Sequence, residues 1–434
     1  MQSPIQSGSY ILSFPNYDCI VFEQRDGMQV QECVLKMTRQ AASFEANSEV
    51  ISMIDKDDLK KRESEAIFQT YGRQDVVLVR GSGVKVWDSG GKEYLDFVAG
   101  IAVNNVGHCH PTVVEAIRKQ AGILIHTSNL YYTEKQVQLA EELKKLTGMK
   151  RAYFCNSGAE SVEAALKLTR RATGKSGIVA AERCFHGRTL GALGNTYKAV
   201  YREPFRPLNE ALFVPYNDIE ALKASVTGET GAVILEPVQG EAGVYVADAE
   251  YLRAARQICD DAGALLIFDE VQTGFGRTGK WFGKEHSGVQ PDIITLAKAL
   301  AGGLPMGAML ATGSAAEAFQ KGDHGSTFAG GAMISAAALA SIDVIKSERL
   351  VERSEDMGRY LREKLQSLGP REVRGQGLMV GVDLDADCKT LVEKALQKGV
   401  LLNNTGEHTI RFIPPLVVGR EEIDKVVDVI GESL

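Results

Sequence analysis

From Asp55 onward the apolar positions follow two alternating rhythms along the chain. Pro111 to Gln120, Glu134 to Leu146, Ser161 to Arg171 and Tyr251 to Ala262 space them as one face of a helix. Val162, Ala165 and Leu166 share a side of the third of these, Glu163 and Lys167 form an i, i+4 pair on it, and Gly174 follows as a stop. Between the helices stand short unbroken apolar runs: Arg151 to Cys155, Ala232 to Leu235, Ala264 to Phe268 and Ile293 to Leu296. Continuous apolar strands separated by helices imply a parallel sheet covered on both faces, and such sheets bind ligands beyond the carboxyl ends of their strands.

The flanks read differently. Asp57 to Glu63 opens a short helix, acid first and base later. Val76 to Val79, Val84 to Trp87 and Tyr94 to Phe97, divided by Gly81, Gly83 and Asp88-Ser89-Gly90-Gly91, predict a small antiparallel meander. From about Glu348 helices alternate with Gly-punctuated strands, including Gly375 to Leu384, as in a second and smaller α/β layer. Gln2 to Tyr17 keeps no clean period and has neither the Arg-rich pattern of a transit peptide nor the apolar core of a signal peptide. Residues 1–54 are therefore expected to be a poorly ordered extension, with Met37 and Met53 available as later starts.

A length of 434 residues suggests two domains. Forty-nine basic against 56 acidic side chains give a formal charge of −7, which argues against a nucleic-acid partner. Seven cysteines, an odd count without a C-x-x-C pair, fit a reducing cytoplasm rather than a disulfide framework. No run reaches the ~18 apolar residues of a bilayer crossing. His108-Cys109-His110 lacks the further ligands a tetrahedral metal site needs, so no metal is expected.

Three strand ends carry chemistry. Asn156-Ser157-Gly158-Ala159-Glu160 places a small-residue turn at a helix N-terminus, a seat for phosphate or simply a tight turn. Asp269 follows an apolar strand and needs a partner, either a helix cap or buried ion pair or the protonated ring nitrogen of a cofactor, with Gln272 one turn on. Lys298 follows another, where it either reaches out to water or is desolvated enough to bond covalently with a carbonyl. Phosphate seat, carboxylate and amine together are what pyridoxal 5'-phosphate requires.

The segments Asn156 to Glu160, Phe185-His186-Gly187-Arg188-Thr189, Glu236-Pro237-Val238-Gln239-Gly240-Glu241, Phe268 to Gly279 and Thr295-Leu296-Ala297-Lys298 stand in one order over Asp55 to the C-terminus. In that order they resemble the class III (ω-amino-acid) pyridoxal-phosphate aminotransferases. Thr70 to Arg73, Val98 to Asn104 and Ser128 to Tyr132 look most like the acetylornithine-type members. The resemblance implies an α/β, fold-type I transferase. Its large domain, residues 106–327, would hold a mainly parallel seven-stranded sheet, and a smaller α/β domain would come from both chain ends, 55–105 and 328–434. It implies that Lys298 holds the cofactor covalently and moves the proton, and that Asp269 keeps the ring nitrogen protonated. Phe185 and Val271 would pack on the two ring faces, Gln272 would reach a ring substituent, and Ser157, Gly158 and Ala159 would bind the phosphate.

Ser326 and Thr327 match a segment that reaches the phosphate of a neighbouring subunit, which implies a homodimer. Arg188 is implied for one substrate carboxylate. Glu241 is implied as a mask over Arg411 that swings away when glutamate arrives. The expected reaction moves the δ-amino group of N2-acetylornithine to 2-oxoglutarate, with succinyl-diaminopimelate, ornithine, 4-aminobutyrate or acetyllysine-type substrates as alternatives. Ser161-Val162 and Ala329 to Met333 depart from the family pattern without touching the cofactor set.

Overall fold

A computed structural model of the chain describes residues 55–434 throughout and, before them, only the backbone of strands Tyr10–Phe14 and Tyr17–Val21. These two pair antiparallel, Tyr10 opposite Val21 and Phe14 opposite Tyr17. Both runs are rich in aromatic and β-branched residues that suit a ladder, though too short to show a period. The rest of the expected extension lies outside the described residues.

The described chain divides into two compact units, Met1–Val79 with Trp87–Lys92, and Arg80–Val86 with Glu93–Leu434. In the first, a helix at Lys56–Ala66 starts from Asp55, whose side chain accepts the amides of Asp57 and Asp58 at 2.9 and 3.2 Å.

The second unit is organised by a seven-stranded sheet. Its strands are β1 (Arg151–Cys155), β2 (Gly177–Ala181), β3 (Leu212–Val214), β4 (Thr230–Leu235), β5 (Leu265–Asp269), β6 (Ile293–Leu296) and β7 (Gly307–Ala311). Their spatial order is β1-β7-β6-β5-β4-β2-β3. Strands β3, β2, β4, β5 and β6 run parallel, and β7 is antiparallel to both neighbours, so β1 runs the same way as β6. Strands β2, β3 and β7 have no counterpart among the expected elements.

Alternation along the buried strands separates two cores. Ala232, Ile234 and Ile267 join Val162, Ala165 and Leu168 of helix α1 (Gly158–Thr173) on one face. Val233, Leu235, Leu266 and Phe268 join Tyr251, Leu252, Ala255 and Cys259 of helix α2 (Ala249–Ala262) on the other. Both faces are buried, and that is why these strands read as unbroken apolar runs.

Toward the C-terminus, β8 (Glu372–Gln376), β9 (Met379–Asp383), β10 (Asn403–Asn404) and β11 (Thr409–Phe412) form an antiparallel sheet in the order β8-β9-β11-β10. The expected strand Gly375 to Leu384 is instead a hairpin broken at Gly377, whose φ of +52° is one that glycine adopts without cost. The run at Val76 to Val79 also shifts, its strand lying at Leu78–Ser82. Glu163 and Lys167 do not pair. Glu163 accepts from Thr189 Oγ1 and the Gly191 and Ala192 amides, while Lys167 donates to the Asp323 carbonyl and lies 3.1 Å from His324 Nδ1. No helix among the described residues is long and apolar enough to cross a membrane.

Candidate active site

The carboxyl ends of β1, β2, β4, β5 and β6 face one cavity of about 460 Å³. Ser157, Gly158, Ala159, Phe185, Arg188, Glu236, Asp269, Val271, Gln272 and Lys298 line it. Nine residues expected from sequence at the cofactor or a substrate carboxylate are thus brought together with Glu236. Glu241 and Arg411 join through Gln272. Ser326 stands at the edge, its hydroxyl accepting from Asn156 Nδ2 of the same chain at 3.0 Å, and Thr327 is exposed.

The turn after β1 is shaped for an anion. Ser157 caps α1, its Oγ accepting the Glu160 amide at 3.2 Å and its carbonyl the Ser161 amide. The amides of Gly158 and Ala159 make no hydrogen bond among the described residues and sit at the positive end of a 16-residue helix. A Cβ on Gly158 would lie 2.8 Å from Val271 Cγ1, so the turn packs directly against the segment after β5.

Asp269 ends β5 with its carboxylate buried and held from three sides. Thr295 Oγ1 on β6 and the Val271 amide donate to Oδ1 at 3.0 and 3.1 Å, and His186 Nδ1 donates to Oδ2 at 2.7 Å. A carboxylate accepts about four hydrogen bonds, so one acceptor position remains, on a group that lines the cavity. Burial opposes a charged imidazole at His186, but Cys184 and the Asp269 carboxylate beside it together outweigh burial and raise its pKa well above the usual range. His186 Nε2 is buried without a partner among the described residues.

Glu236 accepts the Phe185 amide at 2.9 Å, and burial, with Asp269 nearby, pushes its carboxyl up to about 7. Lys298 stands two residues beyond β6 at a φ of +44°, a left-handed conformation that costs a side-chain-bearing residue about 1–3 kcal/mol. Burial lowers the pKa of its amine, which favours the neutral, nucleophilic form. An anion seat, a fixed carboxylate with a free acceptor position and a desolvated amine around one cavity fit pyridoxal phosphate.

Beyond the cavity wall, Arg411 on β11 is fully buried. Its Nη1 donates to Glu241 Oε1 at 2.5 Å and to Gln272 Oε1 at 3.2 Å, its Nε reaches Asn403 at 3.3 Å, and its Nη2 has no partner among the described residues. Burial would raise the Glu241 carboxyl, but Arg411 and Lys298 outweigh it and hold it at about 2. The Gln272 amide is engaged by this pair, in addition to lining the cavity.

Sequence reasoning gave no role to His186, Glu236, Thr295 or the Glu163 anchor. The lone Thr295 inside an apolar strand, and a His and a Glu just past β2 and β4, are the signals that mark them.

The class-III aminotransferase family profile matches residues 68–434. An acetylornithine aminotransferase of Methanosarcina acetivorans is 56% identical over 382 residues, 87% of this chain and 96% of the relative. That of Methanocaldococcus jannaschii is 50% identical over 380 residues, 84% and 94%. Among solved structures, the ornithine aminotransferase of Toxoplasma gondii ME49 superposes with a TM-score of 0.85 at 31% identity over 90% of this chain and 97% of that one. Another structure of the T. gondii enzyme is described with PLP at its active site. The acetylornithine aminotransferase of Elizabethkingia anophelis gives a TM-score of 0.78 at 34% identity over 88% and 99%. With its cavity matching the cofactor and its sequence matching over most of its length, the chain belongs to the class-III aminotransferases and is a pyridoxal-phosphate-dependent transaminase.

Proposed function

We propose that the chain transfers the δ-amino group of N2-acetylornithine to 2-oxoglutarate, yielding N-acetylglutamate 5-semialdehyde and glutamate in arginine biosynthesis. The observation that carries this reading is the Glu241–Arg411 pair, with one buried guanidinium nitrogen that has no partner among the described residues. A transaminase alternating between a substrate with a neutral acylated end and glutamate must offer a second cation in only one half-reaction. Glu241 neutralises Arg411 in the first half, and its part-exposed side chain leaves when the extra carboxylate arrives. Relatives named for acetylornithine at up to 56% identity support the same substrate class.

Pyridoxal phosphate, when bound, supplies an electron sink for the carbon that loses its proton. Lys298 would hold it covalently and, once released, its amine, with a pKa lowered by burial, would carry that proton. Asp269, fixed by His186, Thr295 and the Val271 amide, would keep the ring nitrogen protonated. Ser157, Gly158 and Ala159 would take the phosphate, Phe185 and Val271 would pack on the ring, and Arg188 would bind one substrate carboxylate.

The working unit in this reading is a cytoplasmic homodimer in which Ser326 and Thr327 reach the neighbouring phosphate. Its large and small domains divide near residues 106 and 328. The decisive test is an absorbance half-reaction. N2-acetylornithine without keto acid discharges the bound cofactor's band, and 2-oxoglutarate restores it. Discharge by ornithine or 4-aminobutyrate alone overturns the substrate.

A further inference from the structure

Arg188 is exposed at the cavity rim, yet among the described residues it makes no hydrogen bond or ion pair. An unrestrained arginine would lose rotamer freedom on binding a carboxylate. Its guanidinium carbon instead lies 3.5 Å from the centroid of the Tyr201 ring. At that separation the guanidinium must lie nearly parallel to the ring, since an edge-on approach would drive its N–H groups into the ring carbons. Stacking fixes the plane of the fork while leaving its in-plane donors uncommitted, which no hydrogen-bonded anchor could do.

Tyr201 is itself well held. It belongs to the short helix Ala199–Arg202. The next residue, Arg202, is buried, ion-paired with Glu210, bonded to the Tyr197 carbonyl at 2.9 Å and laid 4.7 Å over Phe213. The other edge of Tyr201 meets Phe185 in a T-shaped contact, centroids 6.5 Å apart, so one ring connects the residue expected on the cofactor face with the guanidinium at the rim.

We propose that Tyr201 is a positioning residue for substrate binding, whose ring face presets the Arg188 fork for a substrate carboxylate. This rests on the reading of Arg188 as the carboxylate-binding residue, so the test separates the two.

In the holoenzyme, KM for N2-acetylornithine, kcat, cofactor affinity and the cofactor's absorption band are measured for Tyr201→Leu, Tyr201→Phe and Arg188→Lys. Arg188→Lys is expected to raise KM at least about tenfold. Tyr201→Leu should raise it about three- to tenfold, as loss of one cation–π contact requires, with kcat within about threefold and cofactor affinity and band unchanged. Tyr201→Phe, which keeps the ring face, should restore KM to within about twofold of the parent. Should Tyr201→Leu not fold, Tyr201→Met serves in its place.

A raised KM in Arg188→Lys with a parental KM in Tyr201→Leu overturns the proposal and leaves the Arg188 reading intact. A parental KM in Arg188→Lys removes that reading and the proposal with it. Loss of cofactor affinity in Tyr201→Leu, or equal losses in the Leu and Phe variants, also overturns it, because the ring would then act through Phe185 or through its hydroxyl.

Discussion

Three donors converge on Asp269, one from the neighbouring strand β6, one from the segment after β2 and one from the backbone two residues on, so the carboxylate cannot rotate away from the cavity wall without breaking a buried hydrogen bond. Lys298 approaches the same cavity from β6 in a strained backbone conformation. Lys298→Ala should lower kcat by about 10³-fold or more, with cofactor removed by simple dialysis; stopped assays and the absorbance of the dialysed protein check both. Glu236 offers a pH test. Its folded pKa is about 7 against an ordinary 4.5, so its contribution to stability is fully present below pH 4.5 and is lost as pH rises through 7. Cofactor-free protein should therefore lose on the order of 3 kcal/mol between those limits from this group, and Glu236→Gln should remove that slope in urea titrations across pH 4.5–8. Glu241→Gln would leave the Arg411 charge unmasked. The half-reaction with N2-acetylornithine should slow about tenfold relative to that with glutamate, measured by the same absorbance change. Asp269 and Lys298 were legible in the sequence because a charge directly after an apolar strand is conspicuous. His186 and Glu236 were not, since their roles depend on which neighbour each meets across strands.

The element that matters most is the junction of β1 with α1. Spacing of apolar residues places the helix start at Ser161, whereas the helix begins at Gly158, because periodicity detects the buried face and the first turn has none. That first turn is where the free amides lie. Gly158→Ala would bring a methyl to 2.8 Å from Val271 Cγ1, and Val271 is tied to Asp269 through its amide, so neither wall yields cheaply. Cofactor affinity should fall at least about tenfold in an equilibrium titration, with little loss of helix content by circular dichroism. Ser157→Ala removes the cap and should cost about 1 kcal/mol of stability in denaturant melts. Strands β4, β5 and β6 were readable from their unbroken apolar runs. Strand β7 was not: Gly307-Ala308-Met309-Leu310-Ala311 has no alternation and only one strongly β-forming feature, its burial, which comes from the sheet around it.

For the whole molecule, the informative surface is the stretch from Ile123 to Tyr132. Ile123, Leu124, Ile125, Leu130, Tyr131 and Tyr132 are all exposed, Leu130 at 84% and Tyr132 at 99%. Phe328, also exposed, packs on His126 with ring centroids 5.1 Å apart, and Asn129 donates to the carbonyls of Ser326 and Ala329. The apolar stretch and the segment expected to reach a neighbouring phosphate thus form one continuous surface. Its family role could be anticipated for Ser326 and Thr327, but no periodicity reveals that an apolar run is left uncovered by the described residues of its own chain. Isolated exposed apolar residues are ordinary, whereas a contiguous cluster calls for a partner surface, which the proposed dimer would supply. In the proposed dimer, Leu130→Asp with Tyr132→Asp places two charges in that interface, each costly to desolvate. Light scattering should give the mass of a single chain, about 47 kDa, where the parent gives twice that. Activity and cofactor retention should fall together if the neighbouring Ser326 and Thr327 complete the phosphate seat. A variant that stays dimeric would place the interface elsewhere, and a fully active monomer would show that one chain's own Ser157, Gly158 and Ala159 suffice for the phosphate.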